Sequence, residues 1–170
     1  MKVKRLFTAK QIAKRIEALG KQIRKDAGDH EVFLLGILKG ASIFLADLMR
    51  NIEGAVAYSF IDVVRDMADN EIAAALEIDF LSYTDISGRN VYLLKDVVST
   101  GVIETYLLSQ LRLERPASLK LVALLDRPEL RTVDLKADYA AFKVGEGSFA
   151  GYGLEADGRF GNLPYIGRVK

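Results

Sequence analysis

The sequence predicts an α/β fold, a mostly parallel sheet flanked by helices, and three observations carry that prediction. Short, nearly continuous apolar runs recur, as in "EVFLLGIL" (31–38) and "VYLLKDVV" (91–98), and such runs mark parallel strands covered on both faces. Segments with apolar residues at helical spacing stand between them. Two runs close on glycine turns, "LKGAS" (38–42) and "DVVSTG" (96–101), each just before a helical pattern. Strand, helix, strand in this order implies right-handed crossovers. Ligands of such sheets sit beyond the carboxyl ends of the strands.

The elements follow in order. Thr8 with Gln11 forms a capping box, after which Ile12, Ile16, Leu19 and Ile23 recur on one helical face. The apolar strand 31–38 ends in Lys39-Gly40, and "ASIFLADLMRNI" (41–52) is the next helix. "VAYSFIDVV" (56–64) and "AALEIDFLSY" (74–83) read as an antiparallel pair joined by the polar loop "RDMADNE" (65–71). The turn "SGRN" (87–90) leads into the strand 91–98, and "VIETYLLSQLRLER" (102–115) is the helix after it. "SLKLVALLD" (118–126) and "ADYAAFKV" (137–144) are two further strands.

Composition narrows the function. At 170 residues the chain fits one domain with a single core. Its 24 basic and 23 acidic side chains nearly cancel, so no long-range field draws it to nucleic acid or anionic lipid, and small molecules or proteins are the expected partners. The absence of cysteine and the single histidine, His30, exclude thiolate metal sites, disulfides and a cysteine nucleophile. A metal would need oxygen ligands. The basic start lacks the apolar stretch of a signal peptide and no run is long enough to span a bilayer, so a soluble, cytoplasmic protein is expected.

The two glycine turns carry the chemistry. Glycine after a strand lets the backbone approach an anion, and the following helix offers free N–H groups at its positive dipole end. An ordinary connection needs the same glycine, so either turn alone fits both readings. Their pairing on one sheet edge favours phosphate.

Over nearly its whole length the chain resembles the hypoxanthine-guanine phosphoribosyltransferase family. The resemblance runs through "LLGILKGASIFLADL", "VYLLKDVVSTG", "LVALLDRPELRTVDLKADYAAF" and "GYGLEADGRFGNLPYIG", and the last two stretches are not general α/β features. It implies a phosphoribosyltransferase-like domain spanning 1–170, with a small hood built from about residues 1–15 and 143–170. It further implies transfer of ribose 5-phosphate from phosphoribosyl pyrophosphate to a purine base, release of pyrophosphate, a requirement for Mg²⁺, and a homodimer or homotetramer.

Carried over position by position, the resemblance makes Lys39, Gly40 and Ala41 the pyrophosphate loop. Val98, Ser99, Thr100, Gly101, Val102 and Ile103 form the 5′-phosphate loop, and Lys136 donates to the purine's exocyclic oxygen. Asp96 matches the second of two acids that serve ribose and metal, and Glu155 stands for an aspartate at the second magnesium.

The departures concentrate at the chemistry. Lys95 replaces the first acid and opposes a divalent cation, which needs oxygen ligands. Ser99 replaces the aspartate that acts on purine N7 as general base, a proton transfer that typically contributes about 10²- to 10⁴-fold. Ile103 replaces a phosphate-binding hydroxyl, and Glu104 beside it opposes an incoming phosphate or occupies the anion site itself. Ser148 falls where the family stacks an aromatic ring on the purine, with Phe149 one place along, and Gly161 replaces an arginine that grips pyrophosphate. "VRDMADN" (64–70) lacks the Ser-Tyr pair of the family's lid. The expected protein is of the purine-salvage type, binding a purine base or nucleotide, with weak or lost turnover. Two alternatives stay open. One is an active enzyme with relocated groups: Asp96 as ligand, a Ser99-held water as proton relay, Phe149 as stacking ring. The other is a non-catalytic nucleotide-binding or regulatory subunit.

Overall fold

The computed structural model describes residues 1–65, 76–80 and 85–170, with the side chains of 63–65 and 76–80 outside that description. The elements are β1 (Val3–Phe7), α1 (Ala9–Ala27), β2 (Val32–Ile37), α2 (Ser42–Met49), β3 (Val56–Arg65), β4 (Leu76–Phe80), β5 (Asn90–Val98), α3 (Val102–Leu113), β6 (Ser118–Asp126), β7 (Tyr139–Lys143), β8 (Phe149–Ala150) and β9 (Ile166–Val169). A 3-10 turn at Pro128–Leu130 lies between β6 and β7.

Among the described residues the main sheet runs β4-β3-β2-β5-β6-β7. Its five strands from β3 to β7 pair in parallel, and β4 is antiparallel to β3. The predicted parallel sheet and the predicted antiparallel pair are both present. Of the predicted loop 65–71, Arg65 closes β3 and the remainder lies outside the described residues, as does most of the lid segment 64–70.

Side-chain alternation explains why the central strands read as unbroken apolar runs. On β2, Leu34 joins one core layer while Phe33, Leu35 and Ile37 join the other, and on β5 the same division separates Tyr92 and Leu94 from Val91 and Leu93. Each strand is thus buried on both faces. Helix α1 covers the first layer with Ile12, Ile16, Leu19 and Ile23, and α3 covers the second with Leu107, Leu108 and Leu111. The capping box at the start of α1 is formed: the Gln11 N–H donates to Thr8 Oγ1 at 3.2 Å and the Thr8 N–H donates to Gln11 Oε1 at 2.9 Å. Such a cap is worth about 1 kcal/mol.

A second, three-stranded antiparallel sheet in the order β1-β9-β8 joins the two ends of the chain. None of its strands stands out in the sequence, because β1 reads only as a basic start and β8 has two residues. Its stability comes from partners distant in the chain, Val3 against Val169 and Phe149 against Arg168. Among the described residues no helix is long and apolar enough to cross a membrane.

Candidate active site

Strands β2 and β5 are neighbours in the sheet, so the loops that follow them meet at its carboxyl edge. In the first loop the Leu38–Lys39 peptide is cis. The chain is then held by its own backbone: the Leu38 N–H donates to the Ile61 carbonyl at 2.9 Å, Ala41 to Ile37 at 3.2 Å and Ser42 to Lys39 at 3.1 Å. A Cβ placed on Gly40 would lie 1.9 Å from Asp96 Oδ2. Glycine at position 40 is therefore what allows the first loop to lie against Asp96 near the end of β5.

The second loop is held by side chains. Arg131, after the 3-10 turn, donates from Nη1 to the Ser99 carbonyl at 2.5 Å and from Nη2 to the Asp126 carboxylate. The side chains of this ion pair are only 9% and 8% exposed. The Thr132 N–H donates to the Thr100 carbonyl and the Arg127 N–H to the Val98 carbonyl, each at 3.0 Å. Gly101, with φ of 84°, turns the chain into α3, and a Cβ there would sit 2.8 Å from Arg131 Cδ. An ordinary residue at 101 would meet both the left-handed backbone and the arginine.

This arrangement sorts the predicted phosphate residues. Ser99 and Thr100 lie at the turn, Gly101 is buried, and Val102 is half exposed at the helix start. Val98 is fully buried in the core with its carbonyl already taken, and Ile103 packs against the same layer. The side chains of these two frame the loop from within, because alternation along β5 and the inner face of α3 turn them inward. Glu104 is 4% exposed. It occupies the first position of the inner stripe of α3, ahead of Leu107, Leu108 and Leu111, and its buried carboxylate accepts a backbone hydrogen bond at the helix start, near Lys95, Arg131 and Asp96. Burial raises its pKa above the usual carboxylate range, while a backbone hydrogen bond and the nearby Lys95 and Arg131 oppose the rise.

Lys95 and Asp96, at the end of β5, form an ion pair with each other, both side chains 21% exposed. The Val97 N–H also donates to Asp96 Oδ1, at 2.8 Å. Lys39 pairs likewise with Glu155 across the first loop, Nζ to Oε2 at 2.6 Å. Lys39, Ser42, Ile43, Glu155, Arg159 and Gly161 line a cleft of about 610 Å³. Arg159 follows a tight turn in which Asp157 and Gly158 both have positive φ, closed by reciprocal 3.0 Å hydrogen bonds between Ala156 and Arg159, the geometry that Asp-Gly favours. Sequence reasoning missed Arg131 and Arg159. The Asp157-Gly158 dipeptide is a hairpin signal that could have drawn notice to Arg159, whereas nothing local marks Arg131.

Lys136 is exposed just before β7 and has no ion-pair partner among the described residues. Ser148 is exposed, but Phe149 is 7% exposed within the core. The Arg127 and Arg168 guanidinium groups lie 5.8 and 5.9 Å from its ring centroid. Ser148 precedes β8, whose two residues Phe149 and Ala150 are both buried, so the Phe149 ring packs in the core while Ser148 stays at the surface.

The metal implied by the resemblance does not fit these residues. Among the described residues no group of three or more His, Asp or Glu gathers around a possible ion. The two acids assigned to magnesium, Asp96 and Glu155, each hold a lysine ammonium instead, and a hard divalent ion needs several oxygen ligands free to converge on it.

A parallel sheet with two adjoining glycine loops at its carboxyl edge, capped by a small second sheet, is the architecture of a phosphoribosyl-transferring domain. The family model for the phosphoribosyl transferase domain matches residues 2–157. The hypoxanthine-guanine phosphoribosyltransferase of Bacillus subtilis is 33% identical over 169 residues, covering 97% of this chain and 92% of that one. A crystal structure of a hypoxanthine-guanine phosphoribosyltransferase from Bacillus anthracis superposes over the full length of both chains with a TM-score of 0.89 and 29% identity. A structure of the Trypanosoma cruzi hypoxanthine phosphoribosyl transferase, from work on its oligomeric state and enzymatic activity, gives 0.89 at 31% identity, covering 98% and 91%. The chain belongs to the hypoxanthine-guanine phosphoribosyltransferase family.

Proposed function

We propose that this protein is of the purine-salvage type, that its cleft takes phosphoribosyl pyrophosphate or a purine nucleotide, and that its turnover is weak or lost. The observation that carries the reading is the Lys95–Asp96 ion pair beside Ser99. It leaves no free carboxylate at the end of β5 and no general base in the loop, since a serine hydroxyl does not accept a proton near neutral pH without a base of its own. The cleft itself is supported by Gly40, which brings the first loop onto Asp96, and by the cations Lys39 and Arg159. An active enzyme with relocated groups would have to draw Phe149 out of the core and Asp96 off its lysine. The reading includes a cytoplasmic location and a homodimer or homotetramer, the latter measurable by sedimentation.

The test is chromatographic detection of nucleotide formed from hypoxanthine, guanine or xanthine with phosphoribosyl pyrophosphate and Mg²⁺, at high protein concentration. The expected outcome is no product, or a trace. Rapid Mg²⁺-dependent turnover by the unmodified protein would overturn the reading.

A further inference from the structure

Each acid that the family resemblance assigns to a metal is answered here by a lysine, and the two pairs flank one loop. Asp96 presses its Oδ2 against Gly40 and is paired with Lys95. Glu155 is paired with Lys39, the residue before Gly40. A divalent ion entering between them would have to displace both ammonium groups or sit beside them.

A phosphorylated ligand meets different physics. Its oxygens are the acceptors that the ammonium groups of Lys39 and Lys95 lack beyond their single carboxylate partners, since an ammonium has three donors. Arg159 lines the same cleft as Lys39, and its guanidinium group has no hydrogen-bond or ion-pair partner among the described residues. Its planar fork suits a phosphate edge. Lys39 is 74% exposed, so swinging it from Glu155 to a ligand requires no repacking.

We propose that the chain binds a pyrophosphate group without a divalent cation, the ammonium groups of Lys95 and Lys39 supplying the positive charge that a magnesium-dependent transferase takes from its metal. Arg159 completes the set in place of the arginine absent at Gly161. This inference rests on the reading of the cleft as a phosphate site and concerns binding, not turnover.

The experiment is isothermal titration calorimetry of the full chain with inorganic pyrophosphate, and separately with phosphoribosyl pyrophosphate, in EDTA and in excess Mg²⁺. The expected affinities in the two buffers agree within about threefold. In EDTA, Lys95→Met and Arg159→Ala each weaken binding by about tenfold, as loss of one charge-assisted contact to phosphate does. Thermal melts establish that both variants are folded. Lys95→Glu is expected to bind only in Mg²⁺, the added carboxylate restoring an oxygen ligand. Binding by the unmodified chain in Mg²⁺ but not in EDTA overturns the inference and leaves the phosphate-site reading standing. No heat from either ligand in either buffer overturns both.

Discussion

The loops after β2 and β5 sit side by side at the same sheet edge, and each leads from a strand into a helix, yet they are held by different means. The first is a backbone construction, with hydrogen bonds among Leu38, Ala41 and Ser42 and their neighbours and a glycine at the point of contact. The second depends on side chains, with Arg131 tied to Ser99 and Asp126, Lys95 to Asp96, and Glu104 buried beneath. Backbone groups are common to nearly every residue, so a loop made from them tolerates changes of side chain. A loop whose charge is set by three or four side chains changes its chemistry with each substitution. Lys39, Gly40 and Ala41 match the pattern that the resemblance assigns to the first loop, whereas Lys95, Ser99 and Ile103 depart from the pattern it assigns to the second.

The largest expected effect comes from cutting the anchor of the second loop. Arg131→Ala leaves Asp126 buried without its partner, a change that costs about 3–5 kcal/mol, and urea denaturation should show it as a lower midpoint with an unaltered slope. A loss below about 1 kcal/mol, the range of an exposed pair, would mean that the second loop does not depend on this arginine.

Reverting the second loop's chemistry should come next. Lys95→Glu combined with Ser99→Asp is expected to raise nucleotide formation by about 10²-fold or more, the low end for a positioned general base. No gain would point to the outward Ser148 and to Gly161 as limiting.

The contact between the loops can be probed from the first side. Gly40→Ala drives a methyl into Asp96 and should cost about 1–3 kcal/mol, as overpacking does. Adding Asp96→Ala should recover much of that, read as a coupling energy in a double-mutant cycle. Additive losses would show that Gly40 and Asp96 do not press on each other.

The smallest effect concerns Glu104. Because burial holds its pKa above the ordinary carboxylate range, the folded chain keeps this proton at pH values where the unfolded chain has released it. The stability linked to Glu104 is therefore full below the ordinary carboxylate range and is lost as pH rises through the elevated value. Glu104→Gln should remove that dependence and raise Tm near neutral pH by about 2–4 °C for a gain of 1 kcal/mol. Calorimetric melts across the acid range check both parts.

Much of this fold is legible in the sequence. The capping box, the inner face of α1 and the doubly buried strands follow from spacing alone, since hydrogen bonding and burial along one element are decided within a few residues. The site was legible only in its residue types. Lys95 and Ser99 stood out as departures, but Glu104 read only as a helix-start carboxylate at the phosphate loop, although its spacing to Leu107, Leu108 and Leu111 marks the inner stripe. Phe149 was a candidate ring because position in sequence does not show which face of a two-residue strand is the core.

By itself, the sequence determined the α/β class, the order of the main-sheet strands and helices along the chain, and the identity of the charged residues at the sheet edge. Only the tertiary structure decided which charges meet. Lys39 finds Glu155 from across the chain, Arg131 reaches back to Ser99, and Asp96 lies against Gly40. Periodicity is written in neighbours, whereas the electrostatics of a cleft depend on distances of a few ångströms between residues that the fold alone brings together.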